Sequence, residues 1–440
     1  GFAVRYSSLT ERYTLGSSQL GRLPAPRVVI ANVYQNESRA TVWEQAVFVV
    51  WFFMLYIPLP EFSLFRYACT ACAIGLFAMH YRDAIPILQK SWPLLPYPIL
   101  GFFSIFWSDY PGDALRTAML QLLVPLIMVT IAIRLRPTEF LRVLTIAAAI
   151  ACLYCIPYFS TLQYGGPLPQ KNLLAYQFMF AALVSLATAL NQKEKPIYRL
   201  LGIAVYPIAF YIQYKADSAT SLVFVTAGTF VLLTVKLFWL SASKVTHLRS
   251  TLLASIVVAA LAGCLAILMA PQNSLVADFL RLVGKDPTLT GRTGIWEAAE
   301  YVSKQNPWFG IGFDSFWQPN VGLAQTLNEV NHVAPGAKIS FHSAFWEVRV
   351  HLGYVGLACF VLTIIWAGMR TIRLWLKDGS IANSAFLLFF FIVTVTCFTE
   401  SYPAAAFSTI VAVFYIGAFA AFDVGARKLV GQTRVEVVEK

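Results

Sequence analysis

The sequence predicts an all-α fold: a polytopic membrane bundle of about twelve transmembrane helices with one long, partly helical outer loop. Three observations carry that expectation. Of 440 residues, 58% are apolar and 12% charged, with a mean hydropathy of +0.64, against about 25% charged in ordinary soluble domains. Apolar runs near the ~20 residues that cross a bilayer recur along the chain. Lysine and arginine collect in every second connection between those runs, the bias that orients membrane helices.

Taken in order, the runs at 42–60, 62–80, 91–107, 114–133, 138–158, 172–191, 198–213, 217–236, 250–270, 346–369, 381–399 and 403–422 are read as spans. The third is interrupted by Pro93, Pro96 and Pro98, which membrane helices tolerate where neighbours satisfy the freed backbone groups. Residues 1–41 are polar, carry five arginines, and read as a cytoplasmic arm rather than a cleavable leader. Residues 42–270 hold helices one to nine, 271–345 form the large periplasmic loop, 346–422 hold the last three helices, and 423–440 form a cytoplasmic tail. Basic connections such as "RLRPTEFLR" (134–142) and "NQKEKPIYR" (191–199) place both termini in the cytoplasm. The net charge of +11 is thus a matter of topology and implies no nucleic-acid partner. The pairs Cys69–Cys72 and Cys152–Cys155 lie inside apolar runs, so they read as packing residues without metal chemistry.

The loop 271–345 far exceeds the usual ~4–6 residue connection, which marks it as functional. Within it, Thr290 or Thr293 can cap a helix running to about Gln305, with Trp296 and Ala299 on one face. Asn306–Pro307 stops that helix, and Gly310 and Gly312 allow a tight turn. The stretch "KISFHSAFWEVRVHLGYVG" (338–356) then places His342, Glu347 and Arg349 where the next apolar run begins. Ionisable groups at a membrane boundary need a physical reason.

On the predicted outer face, His342 is joined by Arg116, Lys171, Lys215, Arg292 and Arg349, and by the acids Asp109, Asp113, Asp217 and Glu400. Seven residues apart, His342 and Arg349 would share one face of a helix. Glu347 lies on another side, one turn from His351. His332 and His351 are read as structural. Basic groups converging on one imidazole describe a pocket that holds phosphate beside a proton acceptor. The chain contains no H-E-x-x-H, no G-x-x-x-x-G-K phosphate loop and no G-x-S-x-G elbow, so energy comes from an activated substrate or an ion gradient.

"GRTGIWEAAEYVSKQNPWFGIGFDSFW" (291–317) followed by "FHSAFWEVRVHLGYVG" (341–356) resembles the O-antigen ligase and Wzy-type polysaccharide polymerase superfamily. "WSDYPGDALR" (107–116) looks like that family's W-S-x-x-P segment, and "QKNLLA" (170–175) like its K/R-N-x-x-A segment. The wording is closest to exopolysaccharide polymerases of the succinoglycan type. The resemblance implies a GT-C-like glycosyltransferase in the bacterial inner membrane, its active site facing the periplasm. Such enzymes need no metal or other cofactor. The donor is an undecaprenyl-diphosphate-linked glycan, and the acceptor is either another lipid-linked repeat or a lipid A core. Membrane lipids and a chain-length regulator are the remaining partners implied.

Carried over by position, the general base falls on His342 and diphosphate binding on Arg292, with Arg116, Lys215, Lys171 and Arg349 as further substrate-binding cations. Many ligases carry a serine–arginine pair where this chain has Ser218–Ala219, so Lys215 or Arg349 would have to replace the second arginine. Attack opposite the leaving group, with no covalent enzyme intermediate, predicts inversion at the anomeric carbon. A transporter or glycolipid flippase is the competing class. It would keep its ionisable residues at mid-helix, whereas this chain keeps most of them at outer helix ends.

Overall fold

The computed structural model describes residues 40–58, 63–239, 292–404 and 408–422. These residues form helices without a strand. The expected span 250–270, the start of the long loop at 271–291, and nearly all of the arm and the tail lie outside the described residues.

In chain order the helices are α1 (Val42–Tyr56), α2 (Ser63–Met79), α3 (Tyr81–Lys90), α4 (Pro96–Phe103), α5 (Pro111–Arg134), α6 (Pro137–Cys155) and α7 (Lys171–Leu190). After them come α8 (Pro196–Lys215), α9 (Ala219–Thr234), α10 (Arg292–Gln305), α11 (Gly322–Val330), α12 (Ala344–Lys377), α13 (Ile381–Thr399) and α14 (Thr409–Ala420). Local chemistry sets many of their starts. Proline opens α4, α5, α6 and α8, where its missing N–H has no intrahelical acceptor to lose. A capping box opens α1: the Thr41 N–H donates to Glu44 Oε2 at 2.7 Å, and Thr41 Oγ1 accepts from the Glu44 N–H.

Among the described residues, six segments are long and apolar enough to cross a membrane: Pro111–Arg134, Pro137–Tyr158, Lys171–Leu190, Ala219–Phe238, Ala344–Lys377 and Ile381–Thr399. Val42–Tyr56, Ser63–Met79, Pro96–Phe106 and Thr409–Ala420 are apolar but shorter. The protein is a multi-pass membrane protein. The run expected to span at 91–107 is broken into a 3-10 turn at Trp92–Leu94, α4, and a second 3-10 turn at Ser104–Phe106. Three prolines that cannot donate to a helical ladder account for the break.

The central helix is α7, buried along nearly its whole length. Interlocking rings hold its neighbours: Phe52 packs on Phe140, Phe140 on Phe386, and Phe180 on Phe389, each edge-on at 5.5–5.7 Å. Such shape-matched contact replaces the hydrophobic effect as the association force inside a bilayer. A separate small core lies where α10 and α11 pack on the loop and the first turns of α12; its centre is Phe316, Trp317 and Phe341.

That small core is fastened to the bundle through the backbone. Helix α12 is interrupted at Gly353, which has φ 64° and ψ −161°. An intact helix would bond the Tyr354 and Val355 amides to the Val350 and His351 carbonyls. Here Tyr354 and Val355 donate instead to the carbonyls of Pro307 and Trp308, at 2.8 and 3.1 Å. The freed Val350 and His351 carbonyls accept from Ile311 and Gly312, at 3.1 and 2.9 Å. The "NPWFGIG" segment therefore replaces one helical turn bond for bond, which meets the rule that broken backbone at a membrane must be re-satisfied. Past the break, residues 354–377 extend for about 36 Å, enough for a bilayer core.

A Cβ on Gly353 would stand 2.3 Å from the Trp308 carbonyl carbon and oxygen, on a backbone that L residues rarely adopt. Gly353→Ala is therefore expected to lower the melting temperature in detergent and the yield of folded protein, through strain of about 1–3 kcal/mol plus the clash. Gly75→Ala, whose Cβ meets nothing within 4 Å, is the matched control and should leave both unchanged.

Candidate active site

His342 stands just ahead of α12, outside the helix. Its φ of 50° turns the chain just before Ser343, the residue at the N-cap position of α12. This placement separates it from Arg349, with which a continuous helix would have aligned it. Neighbours from three elements hold the turn. From α10, the Trp296 indole N–H donates to the Phe341 carbonyl at 2.8 Å. Glu347 Oε2 accepts from the Phe341 amide and from the Ser401 hydroxyl, both at 3.0 Å. Ser401 Oγ in turn accepts from the Ser343 amide at 3.3 Å.

Glu400, at the end of α13, is the hub of the site. It is 3% exposed, and its carbonyl accepts from the first amide of α12, that of Ala344, at 3.1 Å. One carboxylate oxygen, Oε2, lies 3.2 Å from His342 Nδ1. The other accepts from Arg292 Nη2 at 3.3 Å, while Arg292 Nη1 donates to the Thr399 carbonyl at 2.9 Å. A carboxylate oxygen only accepts hydrogen bonds, so in the neutral imidazole tautomer that donates to it from Nδ1, Nε2 is the acceptor. Carboxylate–imidazole pairs of this kind orient a base and stabilise its protonated form.

The imidazole lines a cavity of about 760 Å³, within the usual range of small-ligand sites. Its walls come from α5 (Arg116, Thr117), the N-terminus of α7 (Lys171, Asn172), the loop before α11 (Asp314), the segment before α12 (Lys338), and Tyr402. Burial and the nearby Glu400 push the Tyr402 hydroxyl well above the ordinary phenol range. It stays protonated and reaches Gln170 Oε1 at 3.5 Å.

The motif segments meet here through the chain's turns. Ser108 Oγ pairs with Ser315 Oγ at 2.6 Å, the Phe313 amide donates to Ser104 Oγ at 3.0 Å, and Trp107 packs edge-on against Phe309. The W-S-x-x-P segment is thus a floor for the glycine-rich loop.

The expected cations divide into three groups. Arg116 is on the cavity wall and forms no ion pair or hydrogen bond among the described residues. Lys171 is also there, 3.4 Å from Asp217, with both side chains largely exposed. Arg292 belongs to the site through Glu400 rather than through the wall. Lys215 and Arg349 stand apart from the cavity. Lys215 lies over the Tyr211 ring, and Arg349 is held between the Trp346 and Tyr354 rings at 4.9 and 4.8 Å and donates to the Tyr354 hydroxyl. Stacking on two rings is a strong guanidinium position. Sequence reading counted Glu400 only among the outer acids; the single clue was an acid closing a long apolar run.

A second buried polar group lies at the other end of the bundle. Arg134 grips Glu44 with two bonds at 2.8 and 2.9 Å, and His80 Nε2 meets Glu44 at 3.0 Å. Arg134 is about 25 Å along α5 from Thr117. Both groups occupy helix ends.

Comparison with known proteins agrees with this architecture. The O-antigen ligase family, Wzy_C, matches residues 204–361, a range that takes in the "NPWFGIG" loop, His342 and the break in α12. The exopolysaccharide production protein ExoQ of Rhizobium meliloti (strain 1021) is 27% identical over 319 residues, covering 69% of this chain and 71% of that protein. The loop, the broken helix and the histidine turn all lie inside the range over which the chain is similar to the O-antigen ligase family.

Proposed function

We propose that the protein is a metal-independent, inverting glycosyltransferase that polymerises polyprenyl-diphosphate-linked repeat units on the periplasmic face of the bacterial inner membrane. In this reading the bundle is GT-C-like with twelve spans, and both termini are cytoplasmic. The observation that carries the proposal is the free Nε2 of His342 at a cavity wall, with Nδ1 tied to a carboxylate. A sugar hydroxyl is a poor nucleophile, and a positioned general base is worth ~10²–10⁴ in rate.

The acceptor hydroxyl gives its proton to His342 Nε2 as its oxygen bonds to the anomeric carbon. On the opposite face the bond from that carbon to the diphosphate oxygen breaks, and the electron pair leaves with the lipid diphosphate. Glu400 stabilises the imidazolium that forms. Arg116 and Lys171 meet the charge growing on the diphosphate, as preorganised cations do in a water-poor site. Arg292, first expected on the diphosphate, acts in this scheme by fixing Glu400. The proton then returns from the imidazole to solvent or to the departing phosphate.

The ligase alternative, with a lipid A core as acceptor, is favoured by the family description, whereas the named relative favours the polymerase. Supplying purified lipid-linked repeat alone separates them: a ladder of products supports polymerisation, and transfer only when lipid A core is added supports ligation.

His342→Ala is expected to abolish polymer while protein abundance and lipid-linked repeat synthesis stay normal; high-molecular-weight product in a gel would remove the base assignment. Glu400→Gln keeps the shape but loses the charge, and kcat should fall at least about tenfold, since a wrongly held tautomer disables such a base. Arg292→Lys cannot bond both the Thr399 carbonyl and Glu400, so folded protein or activity should drop sharply; near-normal turnover would show that charge alone suffices. Transfer assayed in EDTA should match the untreated rate.

A further inference from the structure

The cavity has a second polar corner that the transfer step does not use. Glu347 and His351 stand one turn apart on the α12 segment ahead of the break, and Asp314 comes from the loop before α11; all three line the cavity. Asp314 is held at φ 53°, and the adjoining Phe313 ring packs against the His351 ring at 6.5 Å. Asp314 Oδ2 accepts from Lys338 Nζ at 3.0 Å and from Thr117 Oγ1 at 3.3 Å, while Oδ1 accepts nothing among the described residues. The Phe341 amide and the Ser401 hydroxyl both bond to Glu347 Oε2, and the Trp317 side chain stands beside the same carboxyl. His351 is 4% exposed, and its Nε2 is buried without a hydrogen-bond partner.

A buried, unpartnered ring nitrogen in a cavity wall calls for an explanation, because buried polar groups in folded proteins are nearly always met. The corner offers the donor's diphosphate no free cation: the Lys338 ammonium group is already paired with Asp314, and Glu347 pairs with no cation among the described residues. It is also wrong for a metal ion, since no three His, Cys, Asp or Glu groups among the described residues are placed to hold one. A sugar fits. Its hydroxyls both donate and accept, so they can donate to Asp314 and Glu347 and pair with His351 in either direction. Sites that hydrogen-bond a substrate hydroxyl reject analogues lacking it by large factors.

We propose that Asp314, Glu347 and His351 form the acceptor subsite, which binds the hydroxyl-bearing sugar unit that receives the glycan. The assignment rests on the glycosyl-transfer reading above and holds for either acceptor. It separates one cavity into a cation-lined part for the lipid diphosphate and a carboxylate–histidine corner for the incoming sugar. It also changes the expected role of His351 from structural to ligand-binding.

The test uses the full chain in nanodiscs, with lipid-linked repeat extracted from the host as donor. Two acceptors are assayed: the oligosaccharide released from that repeat by mild acid, which lacks the diphosphate and can only accept, and lipid A core. Asp314→Asn and His351→Gln should each raise the KM for the productive acceptor about tenfold or more, while the KM for the lipid-linked donor stays within about twofold. Unchanged acceptor KM in both variants, or an equal rise in both KM values, overturns the subsite. Equilibrium dialysis of each acceptor in radiolabelled form, without donor, keeps the two readings apart. Binding to the wild type that the variants lose, with no transfer by any form, supports the subsite and sinks the transferase reading. Neither acceptor binding nor acceptor use by the wild type sinks the subsite. Should His351→Gln fail to reach the membrane, Asp314→Asn, whose side chain is part-exposed, decides by the same comparison.

Discussion

The exchange of backbone bonds between the "NPWFGIG" segment and the break in α12 is the constraint on which the rest of the structure depends. A helix cannot open near a membrane unless its stranded amides and carbonyls find other partners. Here two amides and two carbonyls are met by one six-residue segment. Because the substitution is one for one, the loop cannot slide along the helix without losing bonds in pairs. The small aromatic core, the Trp296 bond to Phe341 and the turn at His342 all hang from that fixed attachment.

Given the attachment, Glu400 completes the site. Its carbonyl caps the first amide of α12, and its two carboxylate oxygens divide between a guanidinium and an imidazole. Burying a carboxylate is costly unless it is paired and fully hydrogen-bonded, and this one is. The same arrangement that makes the carboxylate tolerable also fixes the orientation of the imidazole, because Nδ1 is tied to it.

Among the described residues, two clusters of ionisable side chains sit at the two ends of the bundle. Glu44, Arg134 and His80 close one end, and the cavity occupies the other. Between them lie interlocked aromatic rings and the nearly sealed α7. An enzyme whose chemistry occurs at one membrane face needs no polar path through the bilayer, and this distribution fits that division of labour.

Much of this protein is written locally. Apolar runs gave the long helices, because transfer of side chains from water to lipid is decided residue by residue. Proline positions marked helix starts, and Asn306–Pro307 ended α10 where expected. His342 stood out as an imidazole at a polar–apolar boundary. Other features depended on segments far apart in the chain. Glu400 reaches Arg292 from 108 residues away and His342 from 58, so no local pattern could pair them. Lys215 and Arg349 looked like Arg116 and Lys171 in the sequence, yet packing turned the first two onto aromatic rings and left the others at the cavity. Gly353 reads as an ordinary helix glycine until the loop that replaces its turn is in place. The sequence by itself determined most of the long helices, since hydropathy and backbone restrictions act over a few residues. Only the tertiary structure decided which charges meet, because a carboxylate's partner is chosen by where distant helices end, and that is set by packing.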